Sequence, residues 1–299
     1  MVACLLGLGA NVGDREATLR AALREIDALP NVRLVRRSEW HRSRPLGGPP
    51  EQGEFLNAAA VIETTLPPLT LLDELQDIET RHGRLPSERW TPRTLDIDVI
   101  LYENEVAETE MLTLPHPRMS FRRFVLQPAA EVAPKMLHPV IGWPVERLLL
   151  HLDAASDRAA ILSPSELLRS DVAARIAQQF GAEMIDGPRF ATADQLWPPA
   201  VTTWLGIKSR AREGDRVSKR DAGLPYAAVA FPKLSILLDA KSSPQGAAKS
   251  HWSVIVRQPG RGPTLRLQTS DEGIIDTEVF AAIESVWPDL GPVSANRLE

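Results

Sequence analysis

Residues 95–99 read Leu-Asp-Ile-Asp-Val, an alternation that a β-strand resolves into one apolar and one acidic face. On such a strand Asp96 and Asp98 point the same way, with Cα atoms roughly 7 Å apart. Two carboxylates that close repel each other unless a cation lies between them, and an all-oxygen donor set favours magnesium brought in with phosphate. An amphipathic edge strand with its polar face in water gives the same Asp-x-Asp pattern, so the pair needs support from elsewhere in the chain. Some stands just upstream, where residues 89–94 read Arg-Trp-Thr-Pro-Arg-Thr. Pro92 stiffens that stretch, and Arg89 and Arg93 carry planar guanidinium forks that match phosphate oxygens. The ligand expected at residues 89–98 is a magnesium nucleotide.

The elements around this strand follow from periodicity. Val2–Leu8 is an apolar run of strand length, residues 9–13 turn it, and Asp14 caps a helix that reaches about Leu29 and stops at Pro30. Gly7, Gly9 and Gly13 space as GxGxxxG, one residue longer than the dinucleotide-binding fingerprint, so a plain turn is expected. Val32–His41 alternates as a second strand, and residues 43–52, carrying Pro45, Gly47, Gly48, Pro49 and Pro50, form a surface loop. Phe55–Glu63 is a third strand. It sets Phe55 and Asn57 on one face, a flat ring beside an amide that donates and accepts, which suits a planar heterocycle and equally an ordinary half-buried strand.

Pro67 and Pro68 open a helix whose apolar residues Leu71, Leu72, Leu75 and Ile78 recur at helical spacing, ending near Gly83. Gln76 and Glu79 lie one turn apart on it. An acid in the last turn opposes the helix dipole, so Glu79 is either held by another group or is a solvated surface acid. A loop with arginines at 84, 89 and 93 leads to the strand Leu95–Tyr102. His116 follows between Pro115 and Pro117, held or simply exposed in a loop, before a helix around Arg122–Ala130. Strand, helix, strand, strand, helix, strand is the order of an α+β sandwich of the ferredoxin-like kind.

At 299 residues and 43% hydrophobic the chain is long enough for two domains, each with a core. It holds no run of eighteen apolar residues, and its N-terminus has no basic leader, so a cytoplasmic chain with no membrane partner is expected. Cys4 is the single cysteine, in an apolar run, and reads as a buried structural thiol rather than a disulfide or zinc ligand. The first 155 residues carry 17 Lys and Arg against 22 Asp and Glu, and the rest carry 17 against 17. Neither half has the basic excess that would grip a nucleic acid.

Several spaced motifs of the first half, GLGANVGD, RPLGG, FLNAAAVIET, LQDIETRHGR, RWTPRTLDIDVILY and LPHPRMSFRRFVLQPAAEVAP, resemble the 6-hydroxymethyl-7,8-dihydropterin pyrophosphokinases of folate biosynthesis over roughly residues 1–150. That resemblance implies attack of the pterin hydroxymethyl oxygen on the β-phosphorus of ATP, with release of AMP. It further implies that Asp96 and Asp98 hold two Mg²⁺ ions bridging the triphosphate, and that Arg84 and Arg93 neutralise charge on the transferred group. Gln76, Glu79, Trp90, His116 and Arg122 would contact the nucleotide. Phe55, Phe124 and Trp90 would line the pterin, with Asn57 reading its amide edge beside backbone groups near Ser43 and Leu46. The chain departs from the family pattern in three places. A second basic residue is missing after Arg84 in a loop shortened before Trp90, Thr91 replaces a common glycine, and Ala10 replaces a common serine. These departures point to slower turnover rather than lost chemistry.

Residues 156–299 lie beyond that resemblance and form a second domain after one of residues 1–155. Strands are expected at Arg158–Leu162, 231–239 and Thr264–Gln268, with helices at Ser165–Phe180 and Thr277–Trp287, in a three-layer α/β arrangement. FPKLSILLDAKSS and GPTLRLQTSDEGIIDTEVFAAIESVW resemble the deoxynucleoside kinase branch of P-loop folds. A working member needs GxxxxGK[ST] after its first strand, where this chain has Ser163-Pro164-Ser165-Glu166, so the domain is expected to be a degenerate kinase-like one. Residues 208–220 are rich in Lys and Arg, as a phosphate-covering lid or, more simply, a solvated loop would be. Besides the pyrophosphokinase with an inert second domain, a bifunctional kinase and a non-catalytic nucleotide or pterin sensor remain open at the level of sequence.

Overall fold

The computed structural model describes residues 1–46, 52–84, 93–186, 202–207, 232–238, 262–269 and 271–288, and the chain divides into two compact units, Met1–Leu149 and Leu150–Glu299. In the first unit, β1 (Val2–Ala10) is followed by α1 (Arg15–Ala28), whose N-cap Asp14 accepts the Ala17 N–H at 3.0 Å. Then come β2 (Val32–Arg37), β3 (His41–Ser43), β4 (Phe55–Thr64), α2 (Pro68–Arg81) and β5 (Asp96–Tyr102). A small hairpin of β6 (Ala107–Glu108) and β7 (Thr113–Leu114), a 3-10 turn at Met119–Phe121 and α3 (Arg123–Val132) complete it. α4 (Val145–Ala154) runs across the division between the units.

The sheet of the first unit runs β2-β4-β1-β5, every pair antiparallel, with β3 also on β4. This is an α+β fold. One sheet face carries Leu6, Leu8, Leu56, Ala60, Ile62, Ile97 and Val99, closed over by Leu19, Leu23 and Ile26 of α1 and Leu71, Leu75 and Ile78 of α2. Cys4 lies in that core, where burial keeps its thiol protonated. The opposite face is partly covered by α3, which packs on β1, β3 and β4. No helix among the described residues is long and apolar enough to cross a membrane.

The single strand expected over Val32–His41 is in fact two. Ser38 still bonds Ala59 through its N–H at 2.9 Å, and His41 pairs with Asn57, so residues 39 and 40 together stand against Ala58. That extra residue is a β-bulge, a tertiary feature that alternation alone does not reveal. A second irregularity, between Leu34 and Arg36, turns Val35 outward.

In the second unit, β8 (Arg158–Leu162), α5 (Glu166–Phe180), β9 (Glu183–Ile185), β10 (Thr202–Gly206), β11 (Leu234–Leu238), β12 (Thr264–Leu267) and α6 (Glu272–Val286) build a sheet of order β12-β11-β8-β10-β9. β8, β11 and β12 are parallel, and β10 is antiparallel to both its neighbours. α5 and α6 pack on this sheet and on each other. α6 starts at Glu272, earlier than its expected start at Thr277, because Asp271 caps it by accepting the Ile274 N–H at 2.9 Å. Strands β9 and β10 were not expected from the sequence, being short and, in β10, broken up by small and polar residues. The Lys- and Arg-rich stretch 208–220 lies outside the described residues.

Candidate active site

The alternation of β5 sends Ile97 and Val99 into the core and leaves Asp96 and Asp98 on the other face. Register with β1 sets Gly9 beside Asp96 and Gly7 beside Asp98, and register with β4 sets Asn57 on the far side of Gly9. β3 then adds His41 beyond Asn57, and Ser43 beside Phe55. Asp96, Gly9, Asn57 and His41 thus form one row across four strands. A Cβ on residue 9 would stand 3.3 Å from Asn57 Oδ1 and 3.7 Å from the Phe55 ring. The absence of a side chain at residue 9 therefore makes room on this face for the Asn57 amide and the Phe55 ring.

At the acidic end, Asp96 Oδ1 takes Arg93 Nη1 at 2.6 Å and Arg84 Nη1 at 3.1 Å. Arg84 also holds Glu79 Oε1, and that same oxygen accepts the Ile97 N–H, from between the two aspartates, at 2.7 Å. Glu79 is only 2% exposed, so it is not a surface acid. Burial pushes its carboxyl up to about 7, against the Ile97 N–H and Arg84, which favour the charged form. Asp96 is likewise raised, by burial first and by the charge of Asp98 second, while Arg93 and Arg84 oppose the rise. The repulsion between the two carboxylates is thus felt at Asp96.

His116 is held rather than free. Its N–H donates to Ile100 O at 2.9 Å and its Nδ1 accepts the Arg118 N–H at 3.2 Å. A neutral ring so placed carries its proton on Nε2, which faces Asp98 Oδ2 at 3.8 Å. Burial, then the nearby charges of Arg122 and Arg118, push the imidazole down to about 3, so it is neutral near pH 7.

At the other end of the row, Asn57 Nδ2 donates to Ser43 Oγ at 2.9 Å, and Phe55 is half-buried alongside. Leu46, also half-buried, follows β3. Phe124 lies in the first turn of α3, with the Arg122 guanidinium 5.4 Å from its ring centre. Gln76 is exposed on α2, outside the hydrogen-bonded network of Glu79, Arg84, Arg93 and Asp96. Trp90, Arg89 and Pro92 lie outside the described residues.

Asn11 was not singled out by the sequence. Its Oδ1 accepts the Arg93 N–H at 2.7 Å and its own N–H donates to Arg93 O at 3.0 Å, so the end of β1 anchors Arg93. A buried polar residue just past a strand is a local signal of an anchor, but its partner stands 82 residues away.

A family model described as 7,8-dihydro-6-hydroxymethylpterin-pyrophosphokinase (HPPK) matches residues 5–134. The Haemophilus influenzae 2-amino-4-hydroxy-6-hydroxymethyldihydropteridine pyrophosphokinase is 45% identical over 139 residues, 46% of this chain and 86% of that protein. The Methylorubrum extorquens protein of the same name is 42% identical over 153 residues, 51% of this chain and 95% of that one. Among solved structures, wild-type Plasmodium falciparum HPPK-DHPS with pteroate is similar at a TM-score of 0.39 and 12% identity, over 60% of this chain and 44% of that one. With nearly the whole length of those bacterial relatives covered at such identity, this chain belongs to the 7,8-dihydro-6-hydroxymethylpterin pyrophosphokinase family.

Proposed function

We propose that Asp96 and Asp98 are the hub on which this chain performs its reaction, the ATP-dependent transfer of pyrophosphate to the hydroxymethyl group of 6-hydroxymethyl-7,8-dihydropterin in folate biosynthesis. The hydroxymethyl oxygen forms a bond to the β-phosphorus, the bond from that phosphorus to the α,β-bridging oxygen breaks, and AMP leaves with the bridging electrons. The hydroxyl proton passes to solvent or phosphate. The observation that carries this assignment is one face of the sheet: Asp96 and Asp98 at one end, with Arg84 and Arg93 on Asp96, an amide and a phenyl ring at the other, and glycine backbone between.

The pair fits Mg²⁺. Both carboxylates are on one face, and the charge of Asp98 is unfavourable to that of Asp96. A cation held here completes its oxygen shell from phosphate and water. Two such ions, bound with the triphosphate, would polarise the phosphoryl oxygens and offset their charge. Arg84 and Arg93, already poised within reach of Asp96 Oδ1, turn to the transferred phosphates. Glu79, His116 and Arg122 line the nucleotide side, Gln76 completes it, and Phe55, Phe124, Asn57, Ser43 and Leu46 enclose the pterin; the family resemblance assigns Trp90 to both substrates.

The reading extends to the fold and to the second unit. A β4-β1-β5 core with β2 outside, all antiparallel and interleaved with two helices, supports a ferredoxin-like arrangement. For residues 156–299 a degenerate three-layer, P-loop-kinase-like domain without phosphotransfer is favoured. Three residues, 163–165, separate β8 from α5, and Arg169 Nη1 donates to Ser163 O at 2.5 Å, where a kinase would open a glycine-rich phosphate cradle. A cytoplasmic location, where ATP and Mg²⁺ are both plentiful, completes the reading.

The test is AMP release from ATP and Mg²⁺ by the full chain, with and without 6-hydroxymethyl-7,8-dihydropterin. Pterin-dependent AMP is expected. A folded chain that binds ATP and pterin without releasing AMP would favour the sensor instead.

A further inference from the structure

Asn57 is 5% exposed, and its amide is gripped from one end. Nδ2 donates to Ser43 Oγ at 2.9 Å and to the His41 carbonyl at 3.3 Å. A carbonyl oxygen only accepts, so turning the amide around would set Asn57 Oδ1 against the His41 carbonyl. The free end of the amide, Oδ1, is the atom that a Cβ on Gly9 would meet at 3.3 Å. It therefore overhangs the bare backbone beside Phe55. The bulge at residues 39 and 40 makes this possible, because it brings His41 and Ser43 into register with Asn57 and Phe55 and so onto the same sheet face.

We propose that the Ser43 hydroxyl is a positioning and specificity-determining group, which holds the Asn57 amide in the orientation that the acceptor-only His41 carbonyl sets, with its acceptor toward the heterocycle, and makes the site select a ring edge of N–H donors. The inference rests on the pterin reading of the site and narrows it. A 2-amino-4-oxopyrimidine edge offers such donors at N3 and at the 2-amino group, whereas a ring edge of bare nitrogens meets the lone pairs of Oδ1 with its own. Ser43 acts through Asn57. The His41 carbonyl makes the longer of the two bonds and is less able to hold the amide alone. Loosening the amide weakens capture of the pterin without touching the phosphates, so the effect belongs to KM for the pterin rather than to kcat.

The experiment is steady-state kinetics on the full-length protein and its Ser43→Ala and Ser43→Thr variants, using 6-hydroxymethyl-7,8-dihydropterin and its counterpart with hydrogen in place of the 2-amino group. Ser43→Ala is expected to raise KM for the pterin about tenfold, the worth of one hydrogen bond. Its kcat and its KM for ATP should stay within about twofold of wild type. Its preference for the amino-bearing substrate should narrow by a similar tenfold factor, and Ser43→Thr should restore both. A merely structural serine would shift Tm or kcat and leave the preference unchanged, and that result would overturn the proposal. Should Ser43→Ala not fold, Ser43→Cys keeps the volume with a weaker hydrogen bond and gives a smaller change in the same ratio, or sinks the idea by giving none. Absence of pterin-dependent AMP from wild type would be a different failure, that of the site's pterin reading.

Discussion

Asp96, half-buried, and Glu79, buried, show how much two neighbouring carboxylates can differ. Asp96 answers to Asp98, Arg84 and Arg93, and its removal takes from both arginines the carboxylate they share, leaving Arg84 on Glu79. Asp96→Ala is expected to lower AMP release by about 10³ or more while circular dichroism still reports the native fold. Glu79 is expected to affect stability as well. Its carboxyl is raised from the usual 4.5 to about 7 in the folded chain, so the folded state holds this proton more tightly than the unfolded one. Stability from this group is then present below pH 4.5 and is lost as pH rises through about 7. The loss is on the order of 3 kcal/mol at most. Urea unfolding of the ligand-free protein between pH 4.5 and 8 checks it, and Glu79→Gln, which keeps an acceptor for the Ile97 N–H, should flatten that slope. Glu79→Ala leaves the N–H without a partner and should cost about 1–3 kcal/mol. None of this is legible from residue 79 alone, because its partners come from the loop at 84 and from β5.

The elements act through their register. β1 carries glycine at 7 and 9 where its neighbours carry Asp98, Asp96 and Asn57, so its site face is backbone while its other face is Leu6 and Leu8 in the core. Gly9→Ala is compatible with the strand's backbone but places a methyl 3.3 Å from Asn57 Oδ1. Its expected signature is a rise in KM for the pterin of about tenfold, with unfolding free energy changed by less than about 1 kcal/mol, measured on the same preparation. α2 works the other face. Leu75, fully buried, ties it to the sheet, and Leu75→Ala should cost about 2–5 kcal/mol in urea unfolding. The helices α1, α2 and α5 and the strands β1, β4 and β5 were legible from spacing or from an apolar run, and α1 and α5 have capping side chains besides, Asp14 and Ser165. The division of Val32–His41 at a bulge was not, because an inserted residue is defined only by the strand opposite. For the same reason the anchoring of Arg93 by Asn11 had no sequence signal beyond a polar residue past a strand.

As a whole molecule the chain joins a unit rich in chemistry to one with its own sheet and its own core. Ile161, fully buried in β8, and Leu75 in α2 belong to different compact units. Calorimetry on the two alanine variants should show two unfolding transitions, with Ile161→Ala lowering only one of them and leaving pterin-dependent AMP release within about twofold of wild type. A single transition shifted by both variants would mean the units unfold together. Chelation of Mg²⁺ with EDTA should abolish AMP release from wild type and both variants, and added Mg²⁺ should restore it.

What the sequence determined by itself was local: the face on which Asp96 and Asp98 lie, the Asp14 cap of α1, the placing of Phe55 and Asn57 on one strand face, and a run of motifs specific enough to name a family. Those properties depend on the period of one element or on the order of short segments, and both are written along the chain. Only the tertiary structure decided that Glu79 is buried under Arg84, that Asn11 holds Arg93, and that the His41 carbonyl sets which end of the Asn57 amide faces Gly9 while Ser43 holds it there. Each of these is a contact between residues brought together by strand register or helix packing, and a hydrogen bond acts over about 3 Å of space whatever the distance along the chain.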